Sequence, residues 1–321
     1  MSNLLTRGLG IVGRLGLLGG GQILSGSTHP LSGTSGTPLG CPAGSLYINT
    51  SSGAVYVNEG TKTSPYWTPV QYDQPGLRAW HSDWRDGVGE PLADTDASLL
   101  LASGVRIHGQ GIADTDSGGV VTYTAELGSI MRLTTTNEDA HTIGLTAGGG
   151  DTVELMQPDT HGPLVIDCEF THVSAITLRA TFMGFIGAIA DTLDPVVTGA
   201  TVTLTLVLDD LAGMFQDVGL TDGDGVFAPH NKSDEAATLA TTDTGVDLST
   251  TIAAAATYQR WRVEISRAGV MTCFVDKAQV GRIVAALDVD EEVAPSFYVE
   301  STSTAVKSVD VKRFATWGLR A

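Results

Sequence analysis

Between Tyr258 and Val280 apolar and polar positions alternate, pause and alternate again. Trp261, Val263 and Ile265 fall on one side and Arg260, Arg262, Glu264 and Ser266 on the other, as in a half-buried antiparallel strand with its charges outward. Arg267, Ala268 and Gly269 interrupt the pattern before Met271, Cys273 and Val275 resume it. The stretch therefore predicts a hairpin, with Gly269 where the chain needs positive φ.

Short strand patterns separated by Gly, Asp and Thr turns run from Ser98 onward. They cover Val120 to Tyr123, Ile130 to Leu133, Val153 to Met156, Leu164 to Phe170, Ile176 to Phe185, Ala200 to Leu208 and Gly213 to Asp217. Pro158, Pro163 and Pro195 fall between them, where a sheet tolerates proline. Many short, evenly spaced strands predict an all-β protein whose residues 98–321 form an antiparallel β-sandwich of the jelly-roll kind.

Upstream, Ser45 to Asn58 reads as strand, turn, strand, with the turn chemistry in Asn49 to Gly53. A lone hairpin is unstable in water, so this small module, residues 41–72, must pack on something. Residues 73–97 read as an aromatic-rich linker. Tyr66, Trp67, Tyr72, Trp80 and Trp84 crowd around its start and mark an interface or a sugar-stacking platform.

Residues 1–40 are rich in Gly and Leu. Each glycine costs a helix about 1 kcal/mol relative to alanine, so the stretch predicts an extended arm. Its apolar Leu4, Leu5, Leu9, Ile11, Val12, Leu17 and Leu18 need cover from another subunit or protein, and together with Arg7 and Arg14 are the candidate attachment residues. Gly8 to Gly13 fits G-x-G-x-x-G, but a preceding strand, a following helix and an acid about 20 residues on are all missing, so no dinucleotide site is expected. Arg14 and the glycines break up any signal-peptide core, and no apolar run reaches the roughly 18 residues of a membrane span.

With 42% hydrophobic and 17% charged residues in a 321-residue chain, a sizeable core is affordable. The formal charge of -18 argues against nucleic acid as a partner, because phosphate binding requires a basic face. The acids all lie in the body: none precedes Glu59. Cys41, Cys168 and Cys273 are odd in number and far apart, which makes a disulfide framework unexpected.

Phe185 to Trp317 resembles the concanavalin A-like or laminin-G-like jelly roll of tailed-phage virion proteins. The likeness is carried by Asp209 to Asp217 as the acidic turn entering a strand, Tyr258 to Ile265, Phe274 to Gly281, and the closing strand Lys307 to Trp317. The Ser45 to Asn58 segment is similar to short modules near the N-termini of such proteins. Lys277 departs from the family's glycine after Asp276 and would be strained at positive φ; Lys312 and Arg313 change only an exposed face. The resemblance implies a non-enzymatic virion structural protein, a capsid decoration or cement protein bound to the major capsid protein through residues 1–40 and assembled as a homotrimer on the capsid surface. Its alternative is the head of a tail fibre or spike that binds a host surface glycan.

No catalytic residues, metal site or cofactor are expected. Asp288, Asp290 and Glu292 could share a strand face as in glucanases of this general fold, but they fall in what the resemblance makes a surface connection. Asp222-Gly223-Asp224-Gly225 lacks the remaining ligands of a calcium loop and reads as a tight turn. His161, Cys168 and His172 lack the paired spacing of a zinc site.

Overall fold

The structure is a computed structural model that describes residues 21–74, 77–82, 98–100, 105–108, 120–124, 130–135, 141–147, 155–173, 179–187, 197–201, 203–206, 210–231, 238–239, 247–302 and 306–320. The first strands are β1 (Ile23–Gly26), β2 (Leu46–Asn49), β3 (Val55–Asn58) and β4 (Trp67–Pro69). They are followed by β5 (Leu77–Ser82), β6 (Ser98–Leu100), β7 (Val105–His108), β8 (Val120–Thr124), β9 (Ile130–Thr134) and β10 (His141–Ala147). After a single turn of helix, α1 (Pro158–His161), come β11 (Leu164–His172), β12 (Arg179–Ile186), β13 (Val197–Ala200), β14 (Thr203–Leu206) and β15 (Leu211–Asp217). Next are β16 (Gly225–Phe227), β17 (His230–Asn231), β18 (Thr238–Leu239) and β19 (Asp247–Thr251). The chain closes with β20 (Gln259–Ile265), β21 (Met271–Val275), β22 (Ala278–Ile283), β23 (Ala294–Ser301) and β24 (Ser308–Leu319).

Among the described residues these strands form two large antiparallel sheets and two small ones. The near sheet runs β22-β21-β20-β11-β24-β9-β8, with β5 also paired to β24. The far sheet runs β19-β16-β15-β12-β23-β10-β7-β6, with β17 beside β15. Between them lies the main core, where Ile166, Cys168 and Phe170 of β11 and Trp261, Val263 and Ile265 of β20 meet Met183 and Phe185 of β12 and Phe297 and Val299 of β23. The ring of Phe170 meets Trp261 edge-on at 5.1 Å, an arrangement aromatic pairs prefer. Burying each such side chain contributes about 1.5–3 kcal/mol.

Each large sheet also has a covered outer face. The three-stranded sheet β13-β14-β18 covers the far sheet, packing Leu204 and Leu206 against Phe182, Phe215 and Tyr298. Strand β12 is therefore buried on both faces, which is why its sequence runs as a nearly continuous apolar block rather than alternating. The N-terminal sheet β1-β2-β3-β4 covers the near sheet, setting Tyr47, Tyr56 and Trp67 against Val165, Ala315 and Trp317.

The β20–β21 hairpin forms as the alternation predicts, and Gly269 has φ +69. A Cβ there would sit 2.2 Å from the carbonyl oxygen of Leu287, so both the dihedral and the close approach demand glycine. Lys277 takes φ +71 at the β21–β22 turn, the strained position its departure from glycine implied.

Along four stretches the described strands differ from the sequence expectation. Residues 21–40, grouped with the extended arm, belong to the folded module: β1 pairs in parallel with β2, and Thr34 donates from its backbone nitrogen to Gln279 Oε1 at 2.7 Å. The stretch from 73 to 97, read as a linker, contains β5, which pairs with β24 from Phe314↔Ser82 to Leu319↔Leu77. The Ala200 to Leu208 pattern resolves into β13 and β14 rather than one strand, and Met156 makes a single bridge to Val293.

Candidate functional site at the module seam

The alternation of β20 turns Arg260, Arg262 and Glu264 away from the main core. That face was expected to be wet. The module covers it instead: Arg262 is 0% exposed and Glu264 6%. A buried guanidinium needs a partner, and β11 supplies one by register, since Asp167 lies directly opposite Arg262. Arg262 Nε donates to Asp167 Oδ2 at 2.7 Å, and Arg260 grips both oxygens of the same carboxylate through Nε and Nη2, each at 2.7 Å. The Tyr66 hydroxyl adds a fourth hydrogen bond to Asp167 at 3.1 Å. Burial alone would raise the pKa of Asp167, but the guanidiniums of Arg262, Arg260 and Arg313 outweigh it and hold the carboxyl far below the usual range.

The network reaches across the seam into the module. Arg262 donates to the carbonyl of Trp67 at 2.8 Å and to Thr68 Oγ1 at 2.9 Å, and its guanidinium lies 3.5 Å from the centre of the Tyr66 ring. Glu59 of the module pairs with Arg260 at 3.1 Å and with Lys277 at 3.2 Å. Glu264 accepts from the backbone nitrogen of Ser32 at 3.2 Å and from Arg262 Nη1 at 3.3 Å. For this carboxyl burial prevails over Arg262, so its pKa is raised.

Beyond the edge of this network the seam opens into a cleft. Its walls are the 27–37 loop of the module, the Gly162–Pro163 approach to β11, the β20–β21 turn and the end of β24. The volume is roughly 450 Å³. Ser27, Thr28, Thr37 and Ser266 line it with Arg267 and His29. Arg267 is held in place by backbone carbonyls, donating from Nε to Gly162 at 3.1 Å and from Nη2 to Thr160 at 3.4 Å. His29 hydrogen-bonds the Tyr56 hydroxyl through Nδ1 and packs edge-on against that ring at 5.5 Å. Burial, with the charge of Arg267 second, lowers its pKa to about 4, so the imidazole is neutral near neutral pH.

Of the sequence candidates, Tyr66, Trp67 and Tyr72 come together at the seam. Tyr66 is 0% and Trp67 2% exposed, so neither offers a free face to a sugar. Tyr72 hydrogen-bonds Arg313 and its ring lies 5.6 Å from that of Trp317. Trp80 sits on β5, partly buried against the main core, with Arg78 over its ring at 5.8 Å. Trp84 and the arm residues Leu4, Leu5, Arg7, Leu9, Ile11, Val12, Arg14, Leu17 and Leu18 lie outside the described residues.

The chemical motifs weighed from the sequence disperse. Asp290 and Glu292 are exposed in the loop between β22 and β23. Asp222 accepts from the backbone nitrogen of Gly225 in a tight turn. His161 accepts from Gln157 N at 2.9 Å, Cys168 is in the core, and His172 bonds Thr181 Oγ1 at 3.0 Å across the sandwich. Among the described residues no group of three or more His, Cys, Asp or Glu is placed to hold a metal.

His29 and Arg267 were not singled out from the sequence as site residues, and nothing local marks them. Asp167 did carry a signal, since an acid inside the apolar run Leu164 to Phe170 must be paired if the strand is buried.

The sheets define an all-β antiparallel sandwich of the jelly-roll, concanavalin A-like kind. Solved structures with a similar fold include a protein of unknown function from Shewanella oneidensis MR-1, at 9% identity and TM-score 0.45, covering 77% of this chain and 90% of that one. The carbohydrate recognition domain of Emp46p, in its potassium-bound form, is 10% identical with TM-score 0.42, over 68% of this chain and 95% of that one. Peanut lectin is 9% identical with TM-score 0.43, over 76% and 99%. No family model matches the sequence, and no curated protein matches it.

Proposed function

We propose that this chain is a non-enzymatic attachment protein of a tailed-phage virion, a capsid decoration protein with its jelly roll outward. Leu4 to Leu18 engage the major capsid protein, and the bodies associate as a homotrimer on the capsid surface. The observation that carries this reading is the use made of buried charge: Asp167, Arg260, Arg262 and Glu264 join the module to the sandwich across the seam. A load arriving from the N-terminal segment enters at β1 and passes through this junction into the body, as attachment requires. The sequence resemblance at Ser45 to Asn58 and Phe185 to Trp317 supports the virion setting. Quantitative mass spectrometry of purified virions tests it. A copy number near that of a capsid lattice component is expected, and absence from virions would overturn the reading.

A second reading, that the body binds carbohydrate, is favoured by the seam cleft. Its roughly 450 Å³ falls in the range of small-ligand sites, and a lining that mixes Ser and Thr residues with one cation suits a polyhydroxylated ligand. Glycan-array binding by the full chain tests it; an array with no bound glycan would end it.

A further inference from the structure

We propose that the seam cleft selects acidic saccharides, with the carboxylate of a hexuronate-type sugar seated on Arg267 and its hydroxyls on Ser27, Thr28 and Ser266. This rests on the carbohydrate-binding reading of the cleft and names the class of sugar.

Charge is the first argument. The chain has a formal charge of -18, yet no Asp or Glu lines this cleft, and Arg267 is the cation in its wall. At physiological salt the screening length is about 8 Å, so a bound carboxylate responds to Arg267 at contact more than to the distant acids. His29, neutral near pH 7, adds a polar surface without a second charge.

Geometry is the second. Among the described residues no carboxylate pairs with Arg267, in contrast to Arg260 and Arg262 on the preceding strand. Two of its nitrogens donate to backbone carbonyls, Nε to that of Gly162 in the wall and Nη2 to that of Thr160 just before it, which orients the guanidinium before a ligand arrives. A planar donor already in position loses little freedom on meeting a carboxylate. Ser27 and Thr28 come from the module and Ser266 from the sandwich, so both sides of the seam bring hydroxyl-bearing residues to the lining.

The test is calorimetric titration of the full chain with tri-galacturonate and with its uncharged counterpart galactotriose, repeated on Arg267→Gln and Arg267→Lys. The acid trimer is expected to bind about tenfold or more tightly than the neutral one, the increment of a charge-assisted hydrogen bond. Arg267→Gln should bring the two to equal affinity, and Arg267→Lys should restore part of the preference. Unchanged thermal stability of both variants would show that the fold is intact. Equal binding of the two trimers by the parent protein, or an acid preference that survives Arg267→Gln, would overturn the inference while leaving a carbohydrate site standing. Failure of both trimers and of every glycan on an array would remove the carbohydrate reading with it.

Discussion

Arg262 and Asp167 stand opposite one another on neighbouring strands with 2.7 Å between Nε and Oδ2, and neither side chain reaches water. Breaking a buried pair by removing one partner typically costs about 3–5 kcal/mol, because the other charge is left uncompensated. Arg260 still holds Asp167 when Arg262 is lost, so Arg262→Met is expected at the lower end, about 3 kcal/mol. Asp167→Asn should cost at least as much, since it strands two arginines. In the double variant the losses should fall short of their sum by about 1–3 kcal/mol, the coupling of groups in one network. Chemical denaturation of the four proteins measures this.

Two titrations should separate in the acid stability profile. His29 has a folded pKa of about 4 against 6.5 unfolded, so the unfolded chain binds the extra proton between those values. Stability is then lost as pH falls from 6.5 to 4, by about 1–2 kcal/mol once discounted for the solvent that reaches the ring. Asp167, whose pKa is depressed, contributes stability that is lost only as pH falls below about 4. In His29→Gln the fall in midpoint temperature between pH 6.5 and 5 should be shallower than in the parent, the remainder coming from His172 and His161, whose pKa values burial also lowers. A parent-like slope in the variant would remove His29 as the cause.

Truncation distinguishes the arm from the module. Deleting residues 1–20 removes none of the contacts described above, so the melting temperature should hold while attachment to particles is lost. Deleting residues 1–40 also removes β1, and with Ser32 both the donor to Glu264 and the acceptor for the Trp67 backbone nitrogen. A fall of about 5 °C or more is expected from the loss of a few kcal/mol. Equal melting temperatures for the two truncations would mean that residues 21–40 contribute nothing to the seam.

Gly269→Ala combines a φ of +69 with a Cβ placed 2.2 Å from the carbonyl oxygen of Leu287. Left-handed backbone costs an L-residue about 1–2 kcal/mol, and here the obstacle is backbone that must move as well. A loss of about 2 kcal/mol or more in urea unfolding is expected. A near-neutral result would mean that the β20–β21 turn relaxes freely.

What was legible in the sequence was what local spacing controls. The period-two runs around Trp261 and Met271, the glycine between them and the all-β class follow from side-chain alternation and turn chemistry over a few residues. The outer face of β20 was misjudged as wet because alternation separates two faces but does not say what covers each. Its cover comes from Ser32, 232 positions away, and from Tyr66 and Trp67, and no window along the chain spans that distance. The aromatic cluster was visible, yet its destination inside the molecule was not. The cleft was invisible for the same reason, since its walls are brought together only when the module docks.

Strand β24 fills most of one long edge of β11 and is itself flanked by β9 along Ser308 to Val311 and by β5 along Phe314 to Leu319. The near sheet thus receives its central member last, after more than 300 residues have been made. During synthesis β5 and β9 leave the ribosome with no lasting neighbour on that side, and the seam above β11 cannot close. Pairing of β24 with β11 is a slow, non-local step of folding, and a chain cut before Ser308 would be left with both its module and its main core open.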